Sequence, residues 1–401
     1  MDEIAKLSMA CQGCDQEISE DREIPAVVHH PELHGRLPEP VKPPLSIPQH
    51  KLEDMEIFHA QMGGGKTIPL LKTMLTTFCE NNCNYCAFRR DRDFQRVGFS
   101  PDEMAGLFMK VFRKGLVKGL FLSSGIAGSA IRSQDRLLDC VSILRKKYGF
   151  RGYIHLKLLP GVQDTQIAES LKLADRVSIN IEGPNEAVLA KLAPQKKFND
   201  ELVGGLDSIH RITNEELENM EPARKRTSLT TQLVMGAVGE SDSEILQTTH
   251  YLYSKLKLAR VYYSAFSPTP RTPFDQLPPL PHLRHARMYQ ASFLLRDYGF
   301  DFEELPFSMD GNLRTENDPK LIWARENLAG SPVDITKADI GQLMRLPGIG
   351  RINAKRILEE RVKTGIRSSQ DLVRMGISMK RCAPFILIRG KQLEYQPELI
   401  G

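Results

Sequence analysis

Long apolar runs are missing from this 401-residue sequence, and no stretch approaches the roughly 18 residues that span a bilayer. The opening residues, Met1 to Lys6, lack the basic and apolar regions of a signal peptide, so a cytoplasmic protein with no membrane partner is expected. Excess charge is also missing: 54 Lys and Arg face 50 Asp and Glu, and 41% of residues are apolar, which excludes a disordered polyelectrolyte. Cysteine is scarce and odd in number, seven in all, which excludes the paired framework of a small secreted domain. What remains is a chain long enough for two or three domains with ordinary cores.

The residues that are present are unevenly spread. Residues 333–401 hold 13 Lys and Arg against 7 Asp and Glu, whereas residues 1–332 hold 41 against 43, so the basic character is C-terminal, where a polyanion could bind. Seven prolines between Pro25 and Pro48 rule out helices and central strands there. From Leu70 onward apolar β-type segments alternate with amphipathic ones. Strands are predicted at Leu70–Thr77, Gly119–Ser123, Tyr153–Leu158, Arg176–Ile181, Leu229–Met235 and Arg260–Ala265. Helices are predicted from Ser100-Pro101-Asp102-Glu103, a capping box with proline at the first position, and near Ser133–Tyr148, Ser241–Leu256 and His282–Asp297. The predicted class is α/β: a partial (β/α)6 barrel whose chemistry sits on the loops after the strands, followed by a small all-α domain. The expected division is a Pro-rich extension over 1–66, a barrel over 67–310, a connector over 311–332 containing Trp323, and a basic helical domain over 333–401.

Cys79, Cys83 and Cys86 crowd into eight positions directly after the first strand. A structural zinc needs a fourth ligand, and between His59 and Cys140 the triplet supplies the only Cys or His. Iron–sulfur clusters usually take four cysteines, so three leave one iron open to a non-protein ligand. The CxxxCxxC spacing after strand 1, with Tyr85 before the last cysteine, resembles the radical S-adenosylmethionine (SAM) superfamily, over about residues 67–305. The resemblance implies a [4Fe-4S] cluster on Cys79, Cys83 and Cys86. It implies further that reduced cluster and SAM together yield a 5′-deoxyadenosyl radical that takes hydrogen from a substrate, with an electron donor such as flavodoxin or ferredoxin as partner.

Further sites follow from the same resemblance. Ser123-Ser124-Gly125 stands where the family has a Gly-Gly-Glu-like turn; its glutamate is missing, so only backbone contacts to SAM carry over. Alternation along the fourth strand puts Asn180 and Glu182 on one face, where they look like the pair that holds the SAM ribose. A strand edge facing solvent is the other reading of that alternation. Gly236-Ala-Val238-Gly239 is similar to the adenine-side glycine motif, and Phe266 to Pro273 to the proline-rich end of the sixth strand. Arg89, Arg90, Arg92 and Arg96 suit either a carboxylate or phosphate contact or a solvated basic loop, and His155 and Lys157 either the barrel lumen or packing. Ala60 to Thr67 fits a relaxed Walker A pattern, but it leads into a strand and not a helix, so it is read as a turn.

In the basic segment, Leu346-Pro-Gly348-Ile349-Gly350 followed by Arg351 and Lys355 resembles the helix-hairpin-helix of DNA repair proteins, with a decayed second copy at Gly376 to Ala383. Such a hairpin offers backbone N–H groups to a phosphate, with Arg351 and Lys355 adding charge, and reads no base sequence. Cys140 reads as core; Cys11 and Cys14 have the spacing of half a zinc or second-cluster site, but no partner pair is in view and no metal is assigned to them. Taken whole, the chain resembles radical SAM proteins assigned to DNA modification or repair. The expected function is a SAM-cleaving enzyme on DNA, or RNA less readily. A small-molecule enzyme with a scaffolding hairpin domain, or a non-catalytic iron–sulfur DNA-binding protein, are the alternatives.

Overall fold

The computed structural model describes residues 3–11, 57–61, 67–218 and 227–393. Cys14, the proline-rich run and the turn at 62–66 lie outside the described residues. The chain divides into two compact units, Met1–Glu240 with Lys255–Leu280, and Ser241–Ser254 with Pro281–Gly401.

The first unit is built on a seven-stranded sheet in the order β1 to β7: Ile57–Gln61, Thr67–Met74, Gly119–Ser123, Tyr153–Lys157, Arg176–Ser178, Ser228–Met235 and Arg260–Ala265. Strands β2 to β7 are all parallel, and β1 is antiparallel to β2. Nothing pairs β1 with β7 among the described residues, so the sheet is an open half-barrel. Helix α1 (Glu3–Cys11) packs on β2, and α2 (Pro101–Arg113), α3 (Ala130–Ser142), α4 (Asp164–Leu173), α5 (Glu186–Leu192) and α6 (Gly204–Glu218) fill the first crossovers. The start of α2 is the predicted capping box: Glu103 N–H donates to Ser100 Oγ, and Ser100 N–H to Glu103 Oε2, each at 3.2 Å.

Period-two alternation gives the sheet two unlike faces. Leu71, Leu120, Leu122, Ile154, Leu156, Val177, Leu233 and Val261 form an apolar face, all buried. The other face carries Lys72, Phe121, His155 and Arg176 in one register row, and Lys157, Ser178 and Thr230 in the next. The strand predictions land on β2 to β7, but the segment assigned to the N-terminal extension already contains α1 and β1, so the boundary at residue 67 is corrected: it cuts the β1–β2 pair.

The second unit opens with α7 (Asp242–Ser254) and α8 (His282–Asp297) and continues with α9 (Pro319–Asn327), α10 (Ile340–Arg345), α11 (Arg351–Lys363), α12 (Ser369–Arg374) and α13 (Met379–Cys382). The all-α expectation is corrected here. A three-stranded sheet, β8 (Val333–Asp334), β9 (Ile386–Ile388) and β10 (Lys391–Gln392), ties the two ends of the small domain together. The connector assignment for 311–332 is also corrected. Ala324 belongs to the buried core with Ile335, Leu343, Ile357 and Phe385, while Leu313 N–H donates to buried Asp242 at 2.9 Å.

Candidate active site at the strand ends

The loop after β2 carries the three cysteines and is held by its neighbours at both ends. Gly125 N–H donates to Thr76 O and Glu80 N–H to Ile126 O, which stitches it to the loop after β3. A side chain at Gly125 would collide with the Phe78 carbonyl, so glycine is required by close approach of the two loops. On the far side Asn84 N–H donates to Leu192 O at the end of α5. Within the loop, the Arg96 guanidinium donates to the carbonyls of Thr77, Phe88, Arg89, Arg90 and Arg92 at 2.7–3.2 Å. Arg92 donates to Ala87 O and Pro270 O, and Arg89 to Asn82 Oδ1. Three of the four arginines therefore brace the loop, and Arg90 remains exposed beside Asp91.

Cys79, Cys83 and Cys86 line one cavity of about 860 Å³, counting its open mouth, at the C-terminal ends of the strands. The same walls include the expected Tyr85, Ser123, Ser124, Gly125, Asn180 and Glu182, together with Lys157, Lys196 and Gln232. Gly236 and Val238 are not in the lining, and their N–H groups donate to the Glu240 carboxylate. His155 lies on the same sheet face, buried beneath the cavity, with Nε2 2.9 Å from Ser178 Oγ. Cys140 is buried core, its thiol pushed up to about 12 by burial, and Cys11 is buried in α1.

The centre of the cavity is an ion pair that sequence reasoning missed on one side. β5 ends at Ser178, short of the predicted Ile181, and Glu182 takes φ of 62° as the chain turns back toward β6. Its Oε1 accepts from Lys196 Nζ at 2.8 Å. Burial pushes the Glu182 carboxyl up, but Lys196 and Lys157 outweigh burial and hold it below the usual glutamate value, so it is ionised at neutral pH. Its other oxygen, Oε2, is buried and makes no well-formed hydrogen bond, although the Tyr85 hydroxyl lies close enough to the carboxylate to help lower its pKa. Lys196 sits 14 residues beyond Glu182 in a loop, where no periodicity points to it; Gln232 was also missed, although it continues the alternation from Thr230, a signal that could have found it.

The donor set fits an iron–sulfur cluster and SAM. Among the described residues no group of three His, Cys, Asp or Glu is arranged around a single metal ion. Three thiols facing one cavity suit a cluster, which is wider than an ion and spaces its thiolates apart. Burial pushes the Cys83 thiol up to about 11 while Lys196 opposes that shift, so metal must displace a proton there. The Glu182 carboxylate, which the Tyr85 hydroxyl also faces, still has acceptor capacity at Oε2 for a hydroxyl or amine, and the glycine at 125 keeps backbone groups accessible beside the cysteines.

Comparison with known proteins agrees with this chemistry. The sequence model of the Radical SAM superfamily matches residues 73–252. No curated protein matches the chain. Among solved structures, methylornithine synthase (PylB) is 14% identical at a TM-score of 0.45, covering 57% of this chain and 62% of that one. The FeFe-hydrogenase maturase HydG from Carboxydothermus hydrogenoformans is 16% identical at 0.45, covering 57% and 51%. The radical SAM methyltransferase TsrM from Kitasatospora setae is 12% identical at 0.38, covering 51% and 38%. The chain thus spans less than two thirds of the length of each of these structures. Over residues 73–252 the chain carries a radical SAM domain, the domain of a superfamily of enzymes whose cofactors are a [4Fe-4S] cluster and S-adenosylmethionine.

Proposed function

We propose that this chain is a SAM-cleaving enzyme that acts on nucleic acid, on DNA in preference to RNA. The observation that carries the enzymatic half is the convergence of Cys79, Cys83, Cys86, Asn180 and Glu182 on one cavity. The three thiolates would hold the cluster, which when bound supplies the electron that breaks the S–C5′ bond of SAM. Lys196 keeps Glu182 ionised and oriented so that Oε2 can accept from a ribose hydroxyl, and Asn180 stands beside it. The Ser123-Ser124-Gly125 backbone borders the cysteines, and Arg96 freezes the cysteine loop before any ligand arrives, which lowers the cost of assembly. A small electron-transfer protein such as flavodoxin or ferredoxin would supply the electron.

The nucleic-acid half rests on the second unit. Helices α10 and α11 flank the turn at Leu346 to Gly350, and α12 and α13 flank a second turn at Met375 to Ser378. The two turns meet, with Gly348 Cα facing Arg381 and Ser378. This arrangement supports a tandem helix-hairpin-helix reading. Gly348 has φ of 81° and Gly350 caps α11, so the first N–H groups of a 13-residue helix open at the turn beside exposed Arg351 and Lys355. Ile349 shapes the turn from inside: its side chain is fully buried in the core, its N–H donates to Leu346 O and its carbonyl accepts from Lys320.

The test is a salt titration of duplex DNA binding by the full chain and by Arg351→Gln/Lys355→Gln. Loss of two phosphate contacts should lower the slope of log affinity against log salt by about 2. No binding by the wild type at low salt would favour a small-molecule substrate, with the hairpins as scaffold.

A further inference from the structure

The cysteine loop and the segment after α5 are joined as one piece. Asn84 N–H donates to Leu192 O and the Asn84 side-chain amide to Lys191 O, each at 2.8 Å, while Asn82 N–H donates to the Gln195 side chain at 2.6 Å. Lys196 N–H donates to Ala193 O at 2.9 Å, which turns the chain at that point. Of the lysines in this segment, Lys191 and Lys197 face solvent, and Lys196 alone is turned inward, its side chain 11% exposed. It enters the wall of the cavity that Cys79, Cys83 and Cys86 also line.

Burying an ammonium group is costly, and a partner for Glu182 need not also lie against the cysteines. The surroundings of Lys196 show a second role. Burial raises the Cys83 thiol, and Lys196 is the largest influence in the opposite direction, ahead of the further rise that Glu182 causes. The relation is mutual: Glu182, Cys83 and Cys86 all favour the charged form of Lys196 and together outweigh its burial. Tyr85, which faces the same three groups, is pushed up by burial and stays neutral, so it adds no charge of its own. A fixed positive charge in a low-dielectric wall eases the arrival of negative charge beside it, and the potential of an iron–sulfur cluster follows the net charge around it.

We propose that Lys196 is the counter-charge of the cluster: held against the cysteine loop by the Asn82 and Asn84 hydrogen bonds, it favours the reduced state, and Glu182 moderates that effect. This rests on Cys79, Cys83 and Cys86 holding the cluster. The step concerned is one electron passing from an external one-electron donor, which is oxidised, to the cluster, which is reduced; no bond is made or broken and no proton moves. A neighbouring opposite charge shifts an ionisation equilibrium by roughly ten- to a thousandfold. With Glu182 opposing, Lys196 should favour reduction by about ten- to a hundredfold, which is about 60–120 mV at 59 mV per tenfold for one electron.

The experiment measures the midpoint potential of the reconstituted full chain without SAM, by dye-mediated anaerobic titration followed by electron paramagnetic resonance. Lys196→Met should disfavour reduction by about ten- to a hundredfold. Lys196→Arg keeps the charge and should stay within about threefold of wild type. Glu182→Gln removes the opposing charge and keeps Lys196, so it should favour reduction by about three- to tenfold. The double variant Lys196→Met/Glu182→Gln should fall between the two single variants. A pair that serves only the fold would shift the potential alike in both single variants or leave it unmoved, so opposite signs sustain the proposal, and equal or absent shifts overturn it. Should Lys196→Met take up no iron, a raised potential in Glu182→Gln sustains the proposal, and one at or below that of wild type overturns it. Wild-type protein that binds no cluster, or full clusters retained after Cys79→Ala, Cys83→Ala or Cys86→Ala, refute the reading on which the proposal rests. A loaded cluster with the wrong shifts refutes the proposal alone.

Discussion

Replacing Lys196 by Met should destabilise the protein strongly at pH 7 and progressively less as the pH falls. The Lys196 and Glu182 side chains are 11% and 6% exposed, and their contact is a direct 2.8 Å ion pair. Breaking a buried pair by removing one partner costs about 3–5 kcal/mol, because a charge is left buried without compensation. Lys157 still faces Glu182, so the lower end, about 3 kcal/mol, is expected. In the wild type Glu182 has a folded-state pKa below its unfolded value of 4.5, so its favourable contribution is present above that pH and is lost as the pH falls through the folded value. In the variant the largest offset to burial is lost, so the folded pKa rises relative to wild type, and the penalty fades once Glu182 is protonated in both states. The double variant Lys196→Met/Glu182→Gln should cost less than the sum of the single changes by about 1 kcal/mol or more. Urea unfolding of the metal-free full chain, followed by far-ultraviolet circular dichroism between pH 4 and 8, measures all of this. A Lys196→Met variant within about 0.5 kcal/mol of wild type at pH 7, or a penalty independent of pH, would refute the reasoning.

Arg96→Gln removes the donors to five loop carbonyls and should lower iron per chain after anaerobic reconstitution, with Arg96→Lys between the two because a single ammonium cannot serve a planar fork of acceptors; full loading in both would count against preorganisation. Lys320 is buried against Ile349 O at 2.6 Å and its pKa is pushed down to about 7 by burial, below the ordinary 10.5. The folded state then binds fewer protons than the unfolded chain between these values, so stability should rise with pH by at most about 1.4 kcal/mol per unit from 7 to 10, and Lys320→Met should abolish that slope in urea melts. Gly348→Ala, at φ of 81° with a new Cβ 3.2 Å from Arg381 Cβ, should cost about 1–3 kcal/mol in the same assay, and a neutral result would contradict the turn geometry.

Legibility in the sequence followed the physics of each element. Strands β2 to β4, β6 and β7 are long enough, and one-sided enough, for apolar runs to mark them, whereas the three-residue β5 was marked by an alternation that continues past its end; α8 was predicted at its observed ends, His282–Asp297. Strand β1 was not found, because its five residues take their order from pairing with β2 rather than from a pattern of their own. Strands β8 and β10, two residues each, exist only through the contact of distant segments. In the site, the cysteine spacing was legible because one loop carries it. The Lys196 partnership was not, because a helix and a turn separate it from Glu182. The predicted alternation through Glu182 reached a residue of the cavity wall although β5 had already ended: Val234 N–H donates to the Glu182 carbonyl, and this contact with β6 holds the turned chain in place. The arginines after Cys86 could be read as ligands or as solvated charge; Arg89, Arg92 and Arg96 proved to be braces and Arg90 solvated, since a guanidinium that collects carbonyls leaves no spacing signature.

The most direct test of the enzymatic account is SAM cleavage by the full chain after anaerobic reconstitution with iron and sulfide. With dithionite and SAM, wild type should form 5′-deoxyadenosine and methionine, resolved by chromatography, and Cys79→Ala, Cys83→Ala and Cys86→Ala should each abolish the product while Cys11→Ala and Cys14→Ala leave it and the iron content unchanged. Product that survives loss of any of the three, or its absence from wild-type protein loaded with four irons, would contradict the assignment of this cavity.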